Sequence, residues 1–172
     1  MSLGLYLHIP YCFSKCRYCD FYSAPGQRGV PRAYVDALLR ELSRFAPDAP
    51  LRPDTLYFGG GTPSLLDPAD AARLIAAAQP LPGAEITLEA NPETVTEDSL
   101  RAFREAGVNR ISFGVQSARD SQLKTLGRPH TAKQARAAFA AARRAGFENL
   151  SGDIMLALPH YTQAEFDETL EP

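Results

Sequence analysis

The sequence predicts a parallel α/β fold, either a doubly wound sheet or part of a (β/α) barrel. Three observations carry this. A strand–loop–helix unit recurs four times and a fifth is begun, and alternating βα units build parallel sheets with right-handed crossovers. No Gly-x-Gly-x-x-Gly follows the first strand, which counts against a dinucleotide fold. Polar residues recur at the same end of successive strands, and parallel βα folds bind ligands at that end.

The elements follow in order. Leu3 to Ile9 reads as a strand closed by Pro10, and a cysteine loop follows directly. Gly26 to Pro31 is a loop. Pro31 opens a helix that carries Tyr34, Leu38, Leu42 and Phe45 near one face, and Pro47, Pro50 and Pro53 end it. Thr55 to Phe58 is a short strand running into Gly59-Gly60-Gly61-Thr62-Pro63. Asp67 and Pro68 make the cap and first turn of a helix bearing Leu74 and Ile75. Glu85 to Glu89 is a strand ending in Ala90-Asn91-Pro92. Thr96 caps a helix with Leu100 and Phe103, and Gly107 stands where a C′ glycine is expected. Asn109 to Val115 is a strand ending in Gln116-Ser117, and Ser121 to Leu126 is a short helix. Thr131-x-x-Gln134 is a capping box for an alanine-rich helix that stops at Gly146. Leu150 to Leu158 is a fifth strand, ending at Pro159. Thr162-x-x-Glu165 opens one more helix, inside which Pro172 falls, as in a truncated chain. A barrel cut after its fifth strand has an edge able to pair.

A length of 172 residues suits one domain with a real core. The net charge of −2 points to neither a nucleic acid nor an anionic membrane. The start has no basic region followed by a long apolar stretch, so no signal peptide is expected. No apolar run approaches the ~18 residues of a membrane span. Closely spaced cysteines without an export signal argue for the cytoplasm.

The chain has three cysteines, Cys12, Cys16 and Cys19, all within the loop after the first strand. The spacing is too tight for a disulfide framework, and an odd count cannot pair fully. Clustered thiolates are first a metal site. One alternative is a zinc knuckle completed by His8 or by a residue far along the chain. The other is an iron–sulfur cubane, in which three thiolates hold three irons and leave the fourth iron open to another ligand.

The strand ends supply further candidates. The triple glycine permits close backbone approach to a ligand and positive φ, or else it is only a tight turn. Glu89 ends the third strand and Asp153 lies within the fifth. A buried bare carboxylate is costly, so each meets a ligand or an internal salt bridge with Arg128 or Arg110. His130 and His160 read as loop residues beside prolines, and His8 as a strand-end packing residue.

C-x3-C-x2-C with Tyr18 just before the last cysteine resembles the radical S-adenosylmethionine superfamily. The resemblance implies a partial (β/α) barrel of radical SAM type. It also implies a [4Fe–4S] cluster on Cys12, Cys16 and Cys19. S-adenosyl-L-methionine then chelates the open iron, and an electron from the cluster cleaves its sulfonium. The glycines with Thr62-Pro63 resemble that superfamily's glycine motif, whose backbone meets the methionine ammonium, and Arg128 is placed to pair with the methionine carboxylate.

Longer segments resemble one branch, the oxygen-independent coproporphyrinogen III oxidase family. They are Leu5 to Cys12, Tyr57 to Ser64, Glu89 to Pro92, Ser112 to Ser117 and Asp153 to Met155, occurring in order. By this resemblance Tyr6, Tyr18, Gly60, Gly61, Thr62, Glu89, Gln116, Arg128 and Asp153 contact S-adenosylmethionine. The enzymes of that family carry a fourth cysteine two residues after the third; here that position is Phe21. Cys19-Asp20-Phe21 instead resembles the HemW-type haem chaperones, which hold haem and deliver it. That branch implies a haem or porphyrin ligand in the full-length protein, a flavodoxin-like electron donor and a recipient haem protein. It also implies that residues 1–172 are the N-terminal part of a radical SAM core domain. The rest of the barrel, a His-Asn-x-x-Tyr haem segment and a C-terminal domain would lie beyond Pro172.

Overall fold

A computed structural model describes residues 2–45, 50–158 and 161–170. Pro47, Pro159, His160 and Pro172 of the sequence reading lie outside the described residues. Five strands form one parallel sheet: β1 (Gly4–Ile9), β2 (Thr55–Gly60), β3 (Glu85–Ala90), β4 (Arg110–Gln116) and β5 (Asn149–Ile154). Their spatial order is their sequence order. A doubly wound sheet reverses its order at a switch point. The absence of reversal among these strands is the progression of a barrel wall.

Helices α1 (Arg32–Phe45), α2 (Pro68–Ala78), α3 (Glu97–Glu105), α4 (Asp120–Leu126), α5 (Ala132–Arg144) and α6 (Gln163–Leu170) fill the connections and follow β5. The caps read from sequence are present. The Asp67 side chain accepts from the Ala69 amide, while Thr96 and Thr131 close reciprocal boxes with Ser99 and Gln134. Thr162 and Glu165 exchange the same pair of contacts at α6. Each satisfies amides that a helix start leaves orphaned.

Alternation along the strands separates two faces. Leu7, Ile9, Leu56, Phe58, Leu88, Ile111 and Phe113 point outward, into a core closed by Val35, Leu74, Leu100, Phe103 and Ala142 of the helices. Tyr6, His8, Tyr57, Thr87, Glu89, Arg110 and Ser112 occupy the alternate positions, on the concave face. That face is unusually polar for a parallel sheet, whose strands are normally apolar on both sides.

The fifth strand is shorter than the sequence implies, ending at Ile154 rather than Leu158. The cause is its neighbour. β4 breaks register between Gly114 and Gln116, so Gln116 pairs with Ile154 and the ladder has no further rung. The Met155 amide still reaches the Gln116 carbonyl, and Ala157 then turns to φ 53°. Among the described residues β5 has no partner on its outer edge, and no helix is long and apolar enough to cross a membrane.

Candidate functional site

The cysteine loop is tied at both ends. The Cys12 amide donates to the Ala24 carbonyl at 3.0 Å and the Gln27 amide to the Cys12 carbonyl at 3.0 Å. Lys15 Nζ spans the middle, donating to the Phe21 carbonyl at 2.7 Å and to Ser23 Oγ at 2.9 Å. On the far side the Arg17 amide donates to the Leu126 carbonyl at the end of α4, at 3.0 Å. Cys12 is buried, and Cys16 and Cys19 are half-buried.

The glycine turn after β2 lies directly beneath. The Gly61 amide donates to the Ile9 carbonyl and the Thr62 amide to the Tyr11 carbonyl, both at 2.8 Å. A Cβ on Gly61 would stand 2.7 Å from the Tyr11 carbonyl oxygen and 2.9 Å from Cys12 Sγ. Gly60 has φ 120°, and a Cβ there would strike the His8 ring at 2.6 Å. These are therefore not interchangeable turn residues. The missing side chains let the cysteine loop settle onto the sheet.

A cavity of about 330 Å³ opens at the carboxyl ends of the strands. All three cysteines line it. So do Tyr18, Gly60, Gly61, Thr62, Glu89, Gln116, Arg128 and Asp153. Tyr6 alone of the expected set stands outside the lining. It sits lower on β1, stacked on Tyr57 with ring centroids 6.0 Å apart, its hydroxyl 3.3 Å from His8 Nδ1.

The two carboxylates are not in salt bridges among the described residues. Glu89 accepts from the Tyr57 hydroxyl at 2.8 Å and from the Gly60 amide at 3.1 Å. Burial raises its pKa above the usual carboxylate value, and those two hydrogen bonds oppose the shift. Ser112 Oγ lies 3.4 and 3.5 Å from the Asp153 oxygens, long for a hydrogen bond. The salt-bridge reading with Arg110 fails for a geometric reason: Arg110 is spent on the hydroxyls of Thr87 and Ser151, at 3.2 and 2.9 Å.

Arg128 does reach the site. One terminal nitrogen donates to Asn91 Oδ1 at 2.7 Å and to the Gly114 carbonyl at 2.6 Å, and the other lies 3.4 Å from Cys16 Sγ. Among the described residues its Nε is buried without a partner. Burial pushes the Tyr18 hydroxyl up to about 12, with the Arg128 charge opposing and the Cys16 and Cys19 thiols reinforcing. Thr62 is buried and accepts from Asn91 Nδ2 at 3.1 Å. Gln116 takes φ 68° at the break in β4.

The lining also holds residues outside the expected set, among them Asn91, Lys15 and Ser112. Asn91 reads in sequence as a strand end, although it bridges Thr62 and Arg128. Lys15 and Ser112 carry no site signal of their own, because a lysine in a loop and a serine in a strand are ordinary. Phe21 stands at the rim, 69% exposed.

Among the described residues, no three His, Cys, Asp or Glu side chains gather around a single metal ion. A zinc knuckle needs such convergence, whereas a cubane takes one thiolate per iron. His8 instead faces the Tyr22 carbonyl at 2.9 Å. Three thiols, an orphaned arginine nitrogen and two carboxylates without counter-ions facing one cavity fit a cluster with a zwitterionic ligand.

Comparison with known proteins agrees. The model of the Radical SAM superfamily matches residues 6–171. The heme chaperone HemW of Escherichia coli (strain K12) is 44% identical over 169 residues, covering 95% of this chain and 45% of that protein. Radical S-adenosyl methionine domain-containing protein 1, mitochondrial, of Bos taurus is 41% identical over 166 residues, covering 91% of this chain and 36% of that one. Among solved structures, the coproporphyrinogen III oxidase HemN from Escherichia coli, a radical SAM enzyme, superposes with a TM-score of 0.87. It is 32% identical, and the match covers 98% of this chain and 40% of that one. The chain spans about half the length of the curated relatives it matches.

Proposed function

This chain belongs to the radical SAM superfamily, and from that premise we propose that it forms the core of a HemW-like haem chaperone. In this reading Cys12, Cys16 and Cys19 hold a [4Fe–4S] cluster, which supplies one electron to bound S-adenosylmethionine. The residues around it bind and orient that cofactor. The Gly60 and Gly61 backbone leaves room for its methionine end, the Arg128 guanidinium meets its carboxylate, and Glu89 and Asp153 accept from its ammonium or ribose hydroxyls. Thr62 and Gln116 supply neutral hydrogen bonds, Tyr18 closes the cluster side, and Tyr6, outside the lining, acts through Tyr57, on which it stacks and whose hydroxyl meets Glu89. Residues 1–172 act as the N-terminal part of the radical SAM core domain.

The observation that carries the chaperone assignment is Phe21. It occupies the rim of the cavity where the related enzymes carry a fourth thiol. A thiol can exchange a hydrogen atom or ligate metal, but a phenyl ring only packs and excludes water. The identities to HemW proteins, 44% and 38%, support the same branch. The ligand in this reading is haem or a porphyrin, the electron donor is flavodoxin-like, the recipient is a haem protein, and the compartment is the cytoplasm. A second reading, coproporphyrinogen III dehydrogenase, is favoured by the close superposition on HemN.

The deciding experiment is anaerobic, with the full-length protein, reconstituted and reduced, since the haem segment is expected beyond Pro172. Stoichiometric haem binding and transfer to an apo-haem protein, without protoporphyrinogen formed from coproporphyrinogen III, is the expected result. Multiple turnovers of coproporphyrinogen would overturn the chaperone assignment in favour of the enzyme. Single Cys→Ala variants at 12, 16 and 19 should hold little cubane iron, and one that keeps full iron and sulfide leaves the ligand set.

A further inference from the structure

His130 is buried in the loop between α4 and α5, its side chain without solvent exposure. Nδ1 lies 3.1 Å from Glu93 Oε2 and Nε2 lies 3.1 Å from the Val115 carbonyl. Both ring nitrogens thus face oxygen acceptors. The imidazole has a nitrogen for each of them, so the ring is held from both sides. Such a fully satisfied buried pair fixes geometry on both sides of itself.

What it fixes is the end of β4. Val115 is the extra residue at the register break, and its carbonyl also accepts from the Ser117 amide at 2.9 Å. Both lone pairs of that carbonyl are therefore used. The next residue, Gln116, holds φ 68°, a left-handed conformation that costs a side-chain-bearing residue energy unless the surroundings impose it. Two residues before His130, Arg128 grips the Gly114 carbonyl at 2.6 Å. A Cβ on Gly114 would meet Arg128 Nη2, Asn91 Oδ1 and Gln116 Nε2 at 2.9 to 3.2 Å, so these three polar ends converge over one bare backbone position.

We propose that His130 and Glu93 are a buried positioning pair that imposes the left-handed turn at Gln116 and sets Arg128 over the cavity. Neither residue lines the cavity, although the Glu93 charge helps to raise the pKa of the lining residue Arg128. The pair's action on ligand binding passes through the Val115 carbonyl and the Arg128–His130 segment. This rests on the reading of the cavity as the S-adenosylmethionine site.

The test uses the full chain, anaerobically reconstituted, with S-adenosylmethionine binding followed by the change it causes in the reduced-cluster electron paramagnetic resonance spectrum. Amide exchange at Ser117 and Met155 is measured in parallel without the cofactor. His130→Phe removes both contacts and should weaken S-adenosylmethionine binding about tenfold, the order of one lost buried hydrogen bond. It should also speed exchange at both amides. His130→Gln alone sets an amide oxygen or nitrogen against mismatched partners. His130→Gln with Glu93→Gln restores a donor for each acceptor, so the double variant should bind better than His130→Gln alone, a non-additivity that a general loss of stability does not produce. Unchanged affinity and exchange in His130→Phe, or strictly additive losses in the double variant, would overturn the proposal. If the wild-type chain shows no spectral change with S-adenosylmethionine, the cofactor assignment fails, and the exchange rates alone decide the positioning role.

Discussion

The guanidinium of Arg128 lies 3.4 Å from the Cys16 sulfur, joining residues 112 apart in sequence. The same side chain holds Asn91, the residue just after β3, and β4 through Gly114. A planar fork reaches three partners at once, which an ammonium on a flexible stem does not. Arg128→Lys should therefore keep the charge and lose the geometry. Cofactor affinity should fall by roughly 1–3 kcal/mol, the scale of a hydrogen bond to a charged group, as read by equilibrium titration of the reconstituted protein. Undiminished affinity would show that Arg128 serves the loop and not the ligand.

Gly61→Ala should be more damaging than its one added methyl implies. The new Cβ would sit 2.7 Å from the Tyr11 carbonyl oxygen, a backbone atom that cannot swing aside, and 2.9 Å from Cys12 Sγ. The cysteine loop must lift. Overpacking of this kind costs about 1–3 kcal/mol, and iron content after reconstitution should drop with the melting temperature. A variant that assembles a full cluster would contradict the close docking of loop on turn.

Glu89 sets binding against stability. Its folded-state pKa is raised above the reference 4.5, chiefly by burial, so the folded chain binds that proton more tightly than the unfolded chain. The stability it contributes is fully present below about pH 4.5 and is lost as pH rises through the folded value. Glu89→Gln removes this loss. Without cofactor, the variant should melt higher than wild type at neutral pH, and the difference should shrink toward pH 4. Cofactor affinity should move oppositely, weakening by roughly 1–3 kcal/mol as the charged acceptor disappears. Melting curves across that pH range and one binding isotherm check both signs.

Phe21→Ala should leave the fold nearly untouched, within about 0.5 kcal/mol, as for other exposed positions, because the ring is 69% exposed. Cluster iron should also be retained. A large loss of stability in a thermal melt would mean that the ring packs against the body of the protein rather than standing at the rim.

Local signals in the sequence were dependable where the physics is local. Thr131 and Gln134, three residues apart, close a capping box regardless of what surrounds them, and Gly107 follows the last turn of α3 as a C′ glycine should, at φ 111°. The cysteine spacing likewise marks one short loop. Tertiary roles were not legible in the same way. His130 looks like a loop residue beside a proline until Glu93, 37 positions earlier, is brought against it. The early end of β5 depends on a bulge in β4, and no composition in Leu150 to Leu158 announces it. Arg110 and Asp153 carry opposite charges and suggest a pair by arithmetic, yet hydroxyls on neighbouring strands take the arginine instead.

The span from Cys16 to Arg128 also has a meaning in time. Chains leave the ribosome N-terminus first, at about 5–20 residues per second. The thiols therefore emerge on the order of ten seconds before the strand ends and the arginine that enclose them have been made. During that interval the loop lacks the anchor between Arg17 and Leu126 as well. Three nascent thiols are then open to oxidants and stray metal ions. Faithful loading of the cluster belongs after synthesis of α4 and α5, and a slow stretch of translation before that point would lengthen the vulnerable window.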